Sequence, residues 1–209
     1  MKFIHFLIFA VSLLFIACSN NNGKSNEKNA PVSVKAINDS PAMAQPETKA
    51  AQPYRTEVAY NSIKFVVNSP GLTSGNSFTI TSSGLTEMNV PVTEQIEGLV
   101  TEVLIDDIDA DDSPELGIIT RQGDKVKIYL YSANKNKTMS SVYLPEISDA
   151  KLLAGFKGQD AFAFVEGRFI QRFPLFDGDI KTGKMRQLQY KLRPGEASKK
   201  MVLDRTIDF

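Results

Sequence analysis

The chain contains no tryptophan, one cysteine and one histidine among its 209 residues, and its formal net charge is zero. Each shortage removes a class of chemistry. The histidine is His5 and the cysteine is Cys18, so nothing beyond the first eighteen residues carries an imidazole or a thiol. Ser-His-Asp and Cys-His catalysis are thereby excluded, as are the common zinc sites built from His and Cys ligands. There is no glycine-rich phosphate loop. The lack of Trp leaves no large indole platform for a sugar ring, and a balanced charge gives no global attraction for nucleic acid. A carboxylate pair is enough for glycoside hydrolysis, but no two of the many acids stand out.

Met1-Lys2 followed by an apolar run from Phe3 to Ala17 reads as a secretory signal, its core too short to span a bilayer comfortably. The run ends Leu14-Phe15-Ile16-Ala17-Cys18, resembling a bacterial lipobox, with Phe15 where Leu is usual. Ordinary signal cleavage needs small residues at the first and third positions before the cut, which Phe15 fits less well. The expectation is a lipoprotein signal peptide over residues 1–17 and lipid attachment at Cys18. Acyl chains of the palmitate kind contribute about 0.8 kcal/mol per buried methylene, so several hold a protein stably on a membrane. Residues 18–53 are rich in Asn, Lys, Ala, Pro, Gln, Ser and Glu and, before Tyr54, contain no aromatic residue. Such a segment buries too little apolar surface to offset its ordering entropy and reads as a disordered tether. About thirty-five flexible residues have a root-mean-square span on the order of 30 Å.

From Tyr54 to Phe209 the pattern becomes that of one β-sheet domain. Ser62–Val67, Ser77–Thr81, Met88–Val92, Met139–Leu144, Ala161–Val165, Arg168–Phe173, Met185–Leu192 and Met201–Ile207 read as strands, with Pro91 pushing the third to an edge or bulge. Glu166-Gly167 has the form of a two-residue hairpin turn. Ser148–Leu153 is the one short helix expected, capped by Ser148. At the centre, Val103–Ile105, Leu116–Ile119 and Val126–Leu130 form three short strands joined by two polar turns. The expected fold is all-β: an antiparallel sandwich or barrel-like meander of about ten short strands with at most one short helix.

Three stretches of this domain are candidate sites. Asp106 to Glu115 holds six carboxylates, and Asp107, Asp109, Asp111 and Glu115 follow the one-three-five-nine spacing of calcium loops. Asp112 and Ile118 replace the glycine and glutamate such a loop wants at its sixth and twelfth positions. The other reading is a turn in which Asp side chains cap their own backbone amides, with neighbouring Lys or Arg offsetting the repulsion. The second candidate is the turn Gln122-Gly123-Asp124-Lys125, either a partner-binding loop or a plain hairpin. The third is Arg186–Lys191, where alternation puts Arg186, Leu188 and Tyr190 on one face and Gln187, Gln189 and Lys191 on the other. That outer face is either a surface for a partner or a solvated sheet face. From Arg168 onward ten Lys or Arg oppose five Asp or Glu, so a basic sheet face could complement the acidic loop inside one molecule.

The same stretches carry a family resemblance. Asp-Ile-Asp-Ala-Asp-Asp-Ser-Pro-Glu-Leu, Tyr131-Ser132-Ala133-Asn134 and Val142-Tyr143-Leu144-Pro145 resemble periplasmic inhibitors of invertebrate-type lysozyme. Gly155–Asp160, Arg172-Phe173-Pro174, Arg186–Leu192 and Pro194–Ser198 continue the match in order, so that it covers roughly Glu102 to Phe209. The resemblance implies a β-sheet scaffold that blocks a lysozyme cleft with a rigid Ser-Gly-x-Tyr loop. Counted back from Tyr131 without gaps, that loop falls on Gln122–Lys125, where only Gly123 matches; Gln122 replaces the serine and Lys125 the tyrosine.

Together these readings give a lipid-anchored binding protein of the bacterial envelope, on the periplasmic or outer-membrane face, with a lysozyme as partner and no nucleic acid. The alternatives are a structural or sensory lipoprotein on the same scaffold and a carboxylate-only glycosidase. No cofactor is expected apart from calcium at the acidic loop. Oligomeric state is open, a dimer included.

Overall fold

Period-two alternation builds the domain. In the computed structural model, which describes residues 53–209, the second strand buries Ile63, Phe65 and Val67 and turns Lys64 outward. The expected signal peptide, Cys18 and nearly all of the expected tether lie outside the described residues. Among the described residues twelve strands form three four-stranded sheets, and within each sheet consecutive strands pair antiparallel. The first sheet holds β1 (Tyr54–Tyr60), β2 (Ile63–Ser69), β3 (Asn76–Ser83) and β4 (Val92–Ile96). The second holds β5 (Leu99–Asp106), β6 (Glu115–Gln122), β7 (Lys125–Ser132) and the two-residue β8 (Ser140–Ser141). The third holds β9 (Ala161–Val165), β10 (Arg168–Asp177), β11 (Ile180–Arg193) and β12 (Lys200–Asp208). The all-β, antiparallel, meander-like expectation holds, with twelve strands where about ten were read.

The second sheet is packed on both faces, which explains why β6 runs Glu-Leu-Gly-Ile-Ile-Thr with all six residues buried. Leu116, Ile118 and Tyr131 join Phe65, Val67, Phe78 and Ile80 of the first sheet in one core. On the opposite face Leu130 and the partly buried Ile128 join Phe169, Phe173, Leu188 and Tyr190 of the third sheet in another. Each fully buried side chain of this size contributes roughly 1.5–3 kcal/mol. Gly117 sets the spacing on the second side. A Cβ there would lie 3.0 Å from Ile128 Cδ1 and 3.4 Å from Phe164 Cζ.

Three local readings need correction. Met88–Val90 is not a strand; Pro91 cannot donate to a ladder, and β4 starts after it, at the sheet's edge. Met139–Leu144 supplies only the two-residue β8, because Tyr143 leaves β7 and pairs with β12 instead, through Tyr143 N to Lys199 O at 3.0 Å and Met201 N to Tyr143 O at 2.8 Å. The short helix α1 (Ala150–Leu153) is capped by Asp149, not Ser148: Asp149 Oδ1 accepts from Lys151 N at 2.8 Å.

Candidate functional sites

The acidic loop connects β5 to β6, and its aspartates first satisfy their own backbone. Asp107 Oδ1 accepts from Asp111 N at 3.1 Å and Oδ2 from Asp112 N at 2.9 Å, while Asp111 Oδ1 accepts from Ser113 N at 2.9 Å. These bonds wrap the loop around Asp107, with Ala110 and Asp112 at φ +57° and +62°. Such positive φ is uncommon outside glycine, though Asp tolerates it better than most residues. At the loop's end Glu115 is fully enclosed, 0% exposed. Its Oε1 accepts from Ser132 Oγ at 2.8 Å and its Oε2 from Ile108 N at 3.1 Å.

A single cation gathers this loop. Lys199 Nζ lies 2.9 Å from Asp109 Oδ2, 2.9 Å from Asp111 Oδ2 and 3.3 Å from Glu115 Oε1. Its three donor hydrogens therefore meet three carboxylates. Burial raises the Glu115 carboxyl to about 7, against the pull of the Ser132 hydroxyl and the Lys199 charge. Burial alone would lower Lys199, but the hydrogen bonds to Asp109 and Asp111 and the charge of Glu115 raise it instead. Asp111 is likewise opposed by burial, yet the Lys199 bond and charge bring it below its ordinary value.

Of the four residues read as calcium ligands, Asp107, Asp109 and Glu115 can bring carboxylate oxygens within 4.8 Å of one another. Asp109 and Glu115 belong to both arrangements. A divalent ion and the Lys199 ammonium would therefore draw on the same two carboxylates, and in this structure the ammonium holds them.

The β6–β7 turn is the second site. Gln122, Gly123, Asp124 and Lys125 are all exposed. Gly123 has φ +60°, as the first central position of a type II′ hairpin turn requires. The base of the turn is held from both sides. On one side Gly98, in the β4–β5 turn, approaches so closely that a Cβ would fall 2.3 Å from Arg121 O, and Lys127 Nζ donates to Glu97 Oε2 at 2.8 Å. On the other, Gln159 N donates to Asp124 O at 2.8 Å, and a Cβ on Gly158 would fall 2.8 Å from the same oxygen. The turn is thus exposed at its tip and fixed at its root.

The third site follows the alternation. Leu188 and Tyr190 are buried in the core between the second and third sheets. Arg186, on their side, donates to Asp208 through two bonds of 2.7 Å and to the Lys151 and Leu152 carbonyls at the end of α1. Gln187 and Gln189 face outward and line a groove on the third sheet.

The sequence reading did not name Lys199 as the partner of the acidic loop, although the basic character of the last forty-two residues pointed toward a cation of that kind. Nor did it name Gly98, Gly158 and Gln159 as supports of the turn. No local signal reveals these supports, since what a glycine approaches depends on the tertiary fold.

Comparison of the chain with protein-family models, with curated proteins and with solved structures returned no match.

Proposed function

We propose that this is a lipid-anchored binding module of the bacterial envelope, attached through Cys18, whose β6–β7 turn enters a lysozyme cleft and blocks it. The observation that carries this reading is the combination of an exposed tip and a doubly braced root at Gln122–Lys125. Binding by a loop costs the entropy of ordering it, and a loop already held in place avoids most of that cost. Lysozyme clefts work through carboxylates, and Lys125, the first residue of β7, offers them a cation beside the tip. The resemblance over Glu102 to Phe209, described from the sequence alone, supports the same reading.

A non-catalytic role is also supported by the fate of Glu115, the carboxyl lifted to the neutral range. A general acid must come within about 3 Å of a substrate oxygen. Glu115 is 0% exposed and its oxygens are taken by Ser132, Ile108 and Lys199.

The test mixes residues 53–209 with lysozymes of the invertebrate, chicken and goose types and follows lysis of purified cell wall. Inhibition at micromolar protein that disappears in Lys125→Glu supports blockade by the turn. No inhibition of any type leaves a structural or sensory lipoprotein on the same scaffold, and wall lysis by the domain alone overturns both. Intact-mass analysis of the membrane-extracted protein tests acylation of Cys18 separately.

A further inference from the structure

The outer face of the third sheet carries a groove of about 370 Å³ that the turn-based reading does not use. Its floor is Ile170, only 7% exposed although it belongs to neither hydrophobic core. Polar side chains cover it. Arg168 and Arg172 flank it on β10, Gln187 and Gln189 lie on β11, and Arg205 stands on β12 opposite Gln189. A bulge between Gln189 and Tyr190 shifts the β11–β12 register there. Consecutive residues Asp204 and Arg205 consequently both line the groove, as a bulge allows.

The cations of this face outnumber their partners. Asp204 takes both Lys191 at 2.7 Å and Arg168 at 3.6 Å, which leaves that cluster with one net positive charge. Arg172 donates to the neutral Gln187 amide oxygen and lies over the Phe209 ring at 5.4 Å. Among the described residues neither Arg172 nor Arg205 forms an ion pair. Glu166, at the tip of the β9–β10 hairpin, is the other carboxylate of the lining.

We propose that this groove binds an extended, carboxylate-bearing polysaccharide. Guanidinium forks match carboxylates bidentately, and the two glutamine amides supply both donors and acceptors for hydroxyls. Arg168 and Arg172 are four residues apart on one strand, roughly 13 Å, and Arg205 sits two strands from them, about 10 Å. Cations rooted at those spacings along and across the strands suit a polymer with charges repeated along its length better than one small anion. Single-stranded nucleic acid is disfavoured because its bases stack on aromatic faces, and the groove lining contains none. This assignment is independent of the lysozyme reading.

The experiment titrates the detergent-purified full chain with polygalacturonate oligomers by calorimetry, beside inorganic phosphate, neutral dextran and a single-stranded thymidine oligonucleotide. Binding of polygalacturonate that weakens at least tenfold in Arg172→Gln/Arg205→Gln is the expected result. The charge-matched pair Arg55→Gln/Lys64→Gln on the first sheet should change it less than twofold, with circular dichroism confirming that both variants fold. No polygalacturonate binding, an equal loss in the control pair, or equal affinity for phosphate or the oligonucleotide would each overturn the proposal.

Discussion

Lys199 Nζ stands 3.3 Å from Glu115 Oε1, across 84 residues of sequence, and the same ammonium reaches Asp109 and Asp111. One side chain from the residue just before β12 thus neutralises part of a loop between β5 and β6. The arrangement places a covalently attached cation among oxygens that would otherwise repel one another.

The first prediction concerns its removal. Lys199→Met leaves Asp109, Asp111 and Glu115 crowded without a counter-charge. Removing one partner of a buried pair costs roughly 3–5 kcal/mol, and the partial exposure of Lys199 (17%) reduces this to about 2–3 kcal/mol. Thermal unfolding should fall by several degrees. Millimolar calcium should restore part of that loss in the variant and leave the wild type unchanged; equal calcium stabilisation of both would show that the ammonium does not compete for these oxygens.

Glu115 sets the second, through pH. Its carboxyl is raised from 4.5 to about 7, chiefly by burial. Between those values the folded protein keeps a proton that the unfolded chain has released. Stability therefore falls as pH rises through this window, by about 3 kcal/mol in all, and below it the penalty is absent. Asp111, lowered by Lys199, acts in the opposite direction but only in more acidic solution. Urea denaturation from pH 4.5 to 7.5 should show the slope in wild type and a flatter line in Glu115→Gln. Parallel lines would assign the slope to another group.

Much of this architecture is legible in the chain, and what escapes has a common cause. The Lys125–Tyr131 alternation marks β7, Glu166-Gly167 marks the β9–β10 turn, and of the outward set Gln187, Gln189 and Lys191 the two glutamines line the outer groove while Lys191 pairs with Asp204 of its lining. Each of those is a local signal at a fixed period. Met139–Leu144 has the same local signal, yet Tyr143 is drawn off to β12, because pairing partners are chosen by the tertiary fold. Lys199 was hidden for the same reason. Its contacts with the acidic loop join residues 84 to 90 positions apart, a distance that no local spacing along the chain encodes.

The braced turn gives a third prediction. Gly158 has φ +83°, and a Cβ there would press on Asp124 O at 2.8 Å. Gly158→Ala should therefore push the α1–β9 loop away and weaken the bond from Gln159 N to Asp124 O. The cost is about 1–2 kcal/mol, from the strained φ together with the contact. Amide exchange should accelerate at Gln159 while β6 and β7 stay protected. If the turn blocks a lysozyme, inhibition should weaken more than the stability change alone accounts for, since the lost property is preorganisation. Unchanged exchange at Gln159 would mean that the loop does not hold the turn.

Gly117 provides the last, and it probes the packing of the second sheet between its neighbours. The residue lies mid-strand in β6, without the positive φ that would itself demand glycine, so only space argues for it there. A methyl group would press on Ile128 and sit in contact range of Phe164 on the third sheet. Gly117→Ala requires Ile128 to change rotamer or shift by a few tenths of an ångström, while Gly117→Val needs the two sheets to separate. Overpacking of this kind costs roughly 1–3 kcal/mol. The valine variant should therefore lose clearly more stability than the alanine variant, although valine is the better strand former. Pairing Gly117→Val with Phe164→Ala should recover part of the loss, because the deleted ring vacates the volume the valine needs. If the double variant is no more stable than the sum of the single losses implies, the two positions do not meet across the sheets.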